Sequence, residues 1–144
     1  MREGAAYVIA PKPLGYRIVK RVFDVLMSLA VLAVAAALLP VTAAVLAVVA
    51  VQTGGSPIYV QERVGRGGRP LRIYKVRTMV ADSDDVERHL SGEQLEQWRR
   101  ERKVDDDPRI VPVGRVLRKT SLDELPQFLN VLAGQMSVIG PRPI

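Results

Sequence analysis

The sequence contains no cysteine, and it has a single histidine and a single tryptophan. Without cysteine the chain forms no disulfide and performs no thiolate chemistry, which fits a reducing cytosol. Aromatic residues make up 5% of the chain, so it lacks the stacking platform that binds single-stranded nucleic acid. The net charge of +6 comes from basic residues interspersed with acids. The sequence therefore predicts no nucleic-acid partner, and it suits anionic lipid headgroups or phosphate-bearing substrates.

One long segment lacks charge altogether, because residues 25–51 contain only Ser28 and Thr42 as polar side chains. A helix needs roughly 20 apolar residues to cross a bilayer. A cleavable signal peptide has a shorter apolar core of roughly 7 to 15 residues. The sequence therefore predicts a basic segment at residues 1–24, a retained membrane helix at residues 25–51 and a cytosolic, membrane-associated domain at residues 52–144.

Basic residues flank this apolar segment on both sides, with Lys20 and Arg21 before it and Arg63 and Arg69 after it. The positive-inside rule favours a cytoplasmic position for both flanks. Pro40 removes a backbone hydrogen bond and is expected to bend the helix, which would let the chain return to the same membrane face. A re-entrant helix kinked at Pro40 and a single spanning helix that tolerates the proline are both open interpretations.

The sequence that follows the apolar segment, residues 52–144, predicts a small domain of short helices and strands. Strand patterns at residues 57–61 and 71–79 flank a glycine-rich basic segment at residues 65–68, which is either a hairpin turn or a phosphate-binding loop. Residues 82–103 predict a charged helix interrupted at residues 91–92. The predicted fold class is α+β, mainly α, with amphipathic interfacial helices and a short β-hairpin.

Three aspartates at residues 105–107 directly precede Pro108. Clustered acids can bind a cation. Acids in a turn before proline are more often a solvated loop, and the prediction leaves these three outside the active site.

Asp123 and Glu124 stand at the start of an amphipathic pattern at residues 122–132. Ser121 and Glu124 match a capping box, in which each side chain bonds the other residue's backbone N–H. In that register Pro126 deletes a helical hydrogen bond, whereas a cap at Asp123 would place Pro126 in the first turn, where it costs little. Both registers predict a helix start, and the choice between them is open.

The same carboxylates also suit catalysis. At a helix N-terminus, with Arg118 and Lys119 nearby, Asp123 is predicted to have a lowered pKa and to stay ionised, as a nucleophile must. The cations would also attract a phosphate. Glu124 would position the pair or assist proton transfer.

Four motifs follow one another along the chain. They are "KRVFDV" before a proline-containing apolar segment, "IYKVRTM" at residues 73–79, "DPRI" at residues 107–110, and "LRKTSLDELPQFLNVLAGQMSVIGPRP" near the end. In this order they resemble the bacterial sugar transferase family. The family comprises the monotopic phosphoglycosyl transferases, which initiate the assembly of polysaccharides and glycoconjugates. The resemblance extends from about Lys20 to the C-terminus.

The resemblance implies a re-entrant helix broken at a proline, in the bacterial inner membrane, with the catalytic part facing the cytoplasm. It implies transfer of a sugar 1-phosphate from a nucleotide diphosphate sugar, usually a UDP-sugar, to polyprenyl phosphate. By motif, Asp123 is the nucleophile and the contact for Mg²⁺, and Glu124 is its catalytic partner. Arg118 and Arg142 would contact phosphate.

Two differences from the family pattern bear on the prediction. Gln135 stands where relatives usually carry an acid, and relatives continue beyond the Pro-Arg-Pro at residues 141–143. Residues 52–144 are therefore expected to form an incomplete catalytic domain. A catalytically inactive membrane scaffold, or a protein that only binds polyprenyl phosphate, is the alternative, and homo-oligomerisation is an open possibility.

Overall fold

The computed structural model describes residues 12–65 and 68–140. The described elements are, in chain order, α1 (Leu14–Ala37), α2 (Leu39–Thr53), β1 (Ile58–Val64), β2 (Pro70–Val76), α3 (Val86–His89), α4 (Gly92–Glu101), α5 (Pro112–Thr120), a 3₁₀ turn (Leu122–Glu124) and α6 (Gln127–Leu132). The protein is mainly helical with one two-stranded antiparallel sheet in its described part. The predicted helix content and β-hairpin are confirmed.

The apolar segment forms two helices and not one. Leu38 has non-helical dihedral angles between α1 and α2, and the axes of the two helices bend by 83° there. Pro40 is the second residue of α2, so its missing N–H falls in a first turn, where no helical hydrogen bond is lost. No single helix in the described ranges has both the length and the apolar composition to cross a membrane, whereas α1 and α2 taken together do.

The glycine-rich segment joins two strands as a hairpin turn. Ile58 pairs with Val76 and Val64 pairs with Pro70 across the two strands. The Gly65 N–H donates to the Arg69 carbonyl over 2.8 Å, which closes the turn. The hairpin interpretation is therefore confirmed, while residues 66 and 67 lie outside the described residues.

The charged region forms α3 and α4, with the break between them at Leu90 and Ser91, one residue before the predicted interruption at residues 91–92. The helix predicted from residue 82 begins only at Val86, after a turn at residues 81–84. The Ser91 N–H donates to Gln94 Oε1 over 3.2 Å at the start of α4. This is the reciprocal contact of a capping box. The interruption therefore follows from local helix-start chemistry.

The core of the domain joins the bent helix pair, α1 and α2, to the sheet. Its apolar side chains come from α2, β2, α5, α6 and the connecting segments, and they are Val49, Leu71, Ile73, Leu90, Val104, Val111, Leu117 and Val131. The end of α2 is fixed to the start of α5, because the Val113 N–H donates to Gln52 Oε1 over 3.0 Å. The helix pair and the domain therefore share one packed region.

Candidate active site

The two predicted catalytic carboxylates lie on the short 3₁₀ turn after α5. The chain reverses at Ser121, whose φ is 57°, and the Glu124 N–H then bonds the Ser121 carbonyl over 3.2 Å. The Ser121 side chain makes no capping bond. The predicted capping box is therefore wrong, because the left-handed backbone at Ser121 replaces the extended conformation that a capping residue adopts.

The predicted helix at residues 122–132 is likewise interrupted. The α-helix α6 begins only at Gln127, and Pro126 is its N-cap residue. Pro126 lacks the N–H that a continuous helix would need at that position. The predicted cap at Asp123 is therefore wrong as well, and the acids occupy a separate turn between α5 and α6.

Asp123 and Glu124 are both partly buried. Burial raises the pKa of Asp123 above its ordinary value of 3.8, and the adjacent Glu124 charge raises this pKa further. The charges of Lys75 and Arg118 lower it only in part. The predicted lowering of this pKa is therefore wrong. A three-residue turn offers little helix dipole, and the cost of desolvating two adjacent carboxyl groups exceeds the stabilisation by nearby cations.

Lys75 is a site residue that the sequence-based prediction missed. Its Nζ lies 3.8 Å from Glu124 Oε1, with both side chains partly exposed. It is near the C-terminal end of β2, and β2 packs against the turn that carries the acids. Lys75 lies within the "IYKVRTM" motif at residues 73–79, so the family motif pointed to this residue. The alternation of residues along the strand, however, did not indicate that its side chain lies near Glu124.

Arg118 lies at the C-terminal end of α5, close to the acids. Its Nε donates to the buried Thr78 Oγ1 over 2.8 Å. Its charge lowers the pKa of Asp123 and also that of Asp107. The structure therefore places this predicted phosphate ligand beside the acid pair, with its guanidinium oriented by Thr78.

The close packing of α5 explains this orientation. A Cβ atom at Gly114 would lie 2.2 Å from the Thr78 carbonyl oxygen, so only glycine allows α5 to approach this backbone. Arg118 follows Gly114 by four residues and lies on the same face of α5. Gly114 therefore allows α5 to come close to the backbone of Thr78, whose side chain accepts the hydrogen bond from Arg118.

The other predicted phosphate ligand, Arg142, lies outside the described residues and remains a prediction.

Within residues 12–65 and 68–140, no group of three or more histidine or acidic side chains is arranged to hold a metal. Magnesium, however, is usually held by one or two carboxylates together with substrate phosphates and water. The adjacent carboxyl groups of Asp123 and Glu124, whose mutual repulsion a cation would relieve, fit such a site.

The aspartates at residues 105–107 are not uniformly solvated. The side chain of Asp107 is buried and accepts hydrogen bonds from Arg109, at 2.9 Å from Nε and 2.6 Å from Nη2. Burial by itself raises the pKa of Asp107, but the hydrogen bonds and charge of Arg109 outweigh it, so that the net pKa lies below 3.8. The solvated-loop interpretation is wrong for Asp107, which forms a structural ion pair.

A carboxylate pair with a lysine and an arginine beside it is a site suited to a phosphate-bearing substrate. The helix that follows the pair, α6, packs on α1 of the bent apolar helix pair. A family model described as bacterial sugar transferase matches residues 15–144. The chain therefore belongs to the bacterial sugar transferase family. This agrees with the family predicted from the motifs.

Three relatives illustrate the similarity. The exopolysaccharide production protein ExoY of Sinorhizobium fredii is 45% identical over 138 residues, covering 94% of this chain and 59% of that protein. The undecaprenyl-phosphate galactose phosphotransferase of Salmonella typhimurium is 44% identical over 131 residues, covering 89% of this chain and 27% of that protein. The UDP-N-acetylgalactosamine-undecaprenyl-phosphate N-acetylgalactosaminephosphotransferase of Aeromonas hydrophila is 40% identical, covering 99% of this chain and 30% of that protein. The chain thus spans about six tenths of the length of ExoY and less of the other two.

Proposed function

We propose that this chain transfers a sugar 1-phosphate from a UDP-sugar to a polyprenyl phosphate, the first membrane step in the synthesis of an exopolysaccharide or glycoconjugate. The relatives are named for undecaprenyl-phosphate sugar phosphotransfer and for exopolysaccharide production. The observation that carries the proposal is the partly buried acid pair, with Lys75 3.8 Å from Glu124 and Arg118 close to Asp123.

The proposed reaction has two displacement steps at the phosphorus attached to the sugar. In the first, a carboxylate oxygen of Asp123 forms a bond to that phosphorus, and the bridging oxygen leaves with the electron pair as part of UMP. In the second, a phosphate oxygen of polyprenyl phosphate forms a bond to the same phosphorus, and the Asp123 carboxylate leaves with its electron pair. The enzyme is regenerated, and the product is a polyprenyl diphosphate sugar.

The raised pKa of Asp123 suits this role. A carboxylate whose charge is incompletely compensated is a better nucleophile than one held in a tight ion pair, because less stabilisation is lost on attack. Glu124, held near Lys75, would keep the pair in position. Arg118 and Arg142 would bind the phosphates and balance the charge that develops on their oxygens.

Asp123, together with Glu124, would hold the magnesium ion that the family resemblance implies. When bound, the ion would supply charge neutralisation at the phosphate oxygens. The donor set fits this role, as two adjacent carboxylates leave the remaining positions to substrate and water.

We further propose that α1 and α2 form a re-entrant hairpin in the cytoplasmic leaflet of the bacterial inner membrane. Large apolar side chains are exposed on both helices, among them Leu26, Val34, Leu39, Val41 and Val51. So much exposed apolar surface favours contact with lipid. The 83° bend and the basic residues on both flanks favour return to the same face.

A test of this function uses the protein in nanodiscs with Mg²⁺, undecaprenyl phosphate and, in turn, UDP-galactose, UDP-glucose and UDP-N-acetylgalactosamine. We expect UMP release that depends on both donor and lipid acceptor. A longer relative of established activity serves as the positive control, and Asp123→Asn as the negative control. Absence of UMP with every donor, while the relative is active, would contradict catalysis by this chain and favour the inactive-scaffold alternative.

A further inference from the structure

Three polar residues on one turn of α1, Lys20, Arg21 and Asp24, contact the C-terminal end of α6 and the segment that follows it. We call this set the α1 clamp. The residues belong to the "KRVFDV" motif, where basic residues beside an apolar helix are ordinarily interpreted as topology signals. In the structure, all three side chains are instead engaged with protein groups more than one hundred positions later in the chain.

Arg21 binds the C-terminal end of α6. Its Nη1 donates to the Val131 carbonyl and its Nη2 to the Leu132 carbonyl, each over 2.6 Å. The last carbonyls of a helix have no partner within the helix, and a cation there also complements the helix dipole. The Val131 carbonyl also accepts the Gly134 N–H over 3.0 Å. One guanidinium therefore adds a hydrogen bond to this carbonyl and one to the Leu132 carbonyl at once, a geometry that lysine cannot reproduce.

The other two residues hold the turn that follows. Lys20 Nζ donates to Ser137 Oγ and to the Ile139 carbonyl. Asp24 is only 4% exposed, and its Oδ1 accepts a hydrogen bond from the Val138 N–H over 3.1 Å. A buried carboxylate needs such a donor, since an unsatisfied one is costly.

The element held by the clamp is also the element that follows the acid pair. The helix α6 starts at Gln127, directly after the turn with Asp123 and Glu124, and ends at Leu132. Within α6, the side chain of Asn130 is 1% exposed, and its Nδ2 donates to the Arg72 carbonyl of β2 over 2.7 Å. The clamp thus connects α1, through α6, to the acid pair and to the strand that carries Lys75.

We propose that Lys20, Arg21 and Asp24 are positioning residues that fix the acid pair relative to the membrane helix pair. This inference rests on the proposed function, in which one substrate is soluble and the other is confined to the lipid. A nucleotide sugar can reach the acid pair at any height above the bilayer. Polyprenyl phosphate can reach it only when α1 holds the site at the depth of the headgroups, so the second step depends on the clamp more than the first.

The experiment compares Arg21→Ala with Arg17→Ala in nanodiscs of phosphatidylethanolamine and phosphatidylglycerol. Arg17 lies one turn earlier on α1 and is exposed, so its loss removes the same charge without disturbing the clamp. A second pair compares Asp24→Leu with Asp24→Asn, because the asparagine Oδ1 can still accept from the Val138 N–H. Arg21→Lys tests rescue by charge alone.

Two readouts are measured for each variant. The first is amide hydrogen exchange over residues 131–140, which reports the contacts whether or not the protein is active. The second is single-turnover chemistry, with UMP release from donor alone measured separately from transfer on addition of undecaprenyl phosphate.

We expect the Val138 amide to exchange about ten-fold faster in Asp24→Leu but not in Asp24→Asn, as one hydrogen bond is lost. In Arg21→Ala, transfer to the lipid should fall by about 10- to 100-fold while donor-only UMP release changes little. Arg21→Lys should recover only part of the loss, and Arg17→Ala should resemble the unchanged protein.

Unchanged exchange in Asp24→Leu and Arg21→Ala would overturn the clamp. Equal loss of both chemical steps, or equal effects of Arg17→Ala and Arg21→Ala, would overturn the positioning role in favour of a folding or topology role. If the unchanged protein releases no UMP but the variants show the expected exchange pattern, the proposed function fails while the clamp contacts are supported.

Discussion

Two aspartates, one before α5 and one after it, have opposite electrostatic surroundings. Before the helix, Asp107 is buried in a two-point ion pair with Arg109, and its pKa lies below the ordinary value. After the helix, Asp123 is partly buried beside Glu124, and its pKa lies above the ordinary value. Arg118 lowers the pKa of both, so the difference arises mainly from the immediate neighbours of each carboxyl group.

This contrast separates a stabilising carboxylate, Asp107, from the carboxylate of Asp123, which we propose to be reactive. The charge of Asp107 is compensated by the fold and therefore contributes to stability. The charge of Asp123 is maintained at a cost, which fits the nucleophilic role that we propose for it. Changes at the two ends of α5 should therefore have opposite consequences for activity and stability.

The largest effect is expected for Asp123→Asn. Removing the proposed nucleophile should lower UMP release by about 10³-fold or more, while the midpoint of thermal unfolding stays equal or rises, because an uncompensated charge is lost. Steady-state UMP assays and thermal unfolding of the same preparation test both parts. A fall in the unfolding midpoint would mean that Asp123 supports the fold.

At the other end of α5, Arg109→Ala should destabilise the protein by about 3–5 kcal/mol, because it leaves Asp107 buried without its partner. The measurement is the free energy of unfolding in denaturant. Arg99→Ala is the matched control. Arg99 Nη2 lies 3.7 Å from Glu87 Oε1, and both side chains are exposed, so the loss of this pair should change stability by less than about 1 kcal/mol. Similar losses for the two variants would contradict a special role for the buried pair.

Lys75→Ala tests the electrostatic balance around the acid pair. We expect a loss of about 10- to 100-fold in activity, and a further rise in the pKa of Asp123 as the lysine charge is removed. The acid limb of the pH–activity profile should therefore move to higher pH. Arg72→Ala serves as the control, because this side chain lies on the same strand and is 74% exposed. A shift of equal size in both variants would indicate a general charge effect.

The smallest effect is the pH dependence of stability, which has opposite signs for the two aspartates. Near neutral pH, Asp123→Asn should be the more stable form, and this advantage should shrink as the pH falls through the raised pKa toward 3.8. Asp107→Asn should be the less stable form, and its deficit should shrink only as the pH falls below 3.8 through the lowered pKa. Unfolding free energies from pH 7 to pH 3 test this, and differences of the same sign would contradict the comparison.

Sequence patterns predicted the elements whose causes are local. The break between α3 and α4, the glycine-rich hairpin turn and the bend near Pro40 each follow from turn or helix-start chemistry within a few residues. The motif resemblance likewise identified the family and placed Asp123, Glu124 and Arg118 together. Local chemistry and motif order were therefore sufficient for these features.

Features that depend on tertiary contacts were missed. Ser121 is the left-handed C-cap of α5, and its N–H bonds the Arg118 and Leu117 carbonyls of that helix. Because Ser121 ends α5 in this way, the capping-box pattern there was misleading. The approach of Lys75 to Glu124 requires β2 to pack beside the 3₁₀ turn, and the burial of Asp107 requires the segment around Ser83, whose carbonyl binds Arg109 over 3.0 Å. No local pattern encodes such pairings.

The central claim is that Asp123, and not another carboxylate, accepts the phosphosugar. Its most direct test is mass spectrometry of the intact protein and of its peptides after incubation with donor and Mg²⁺ in the absence of lipid acceptor. We predict one phosphosugar adduct per chain, located on Asp123, absent from Asp123→Asn and discharged by undecaprenyl phosphate. An adduct on a different residue, or UMP release that continues in Asp123→Asn, would contradict the account.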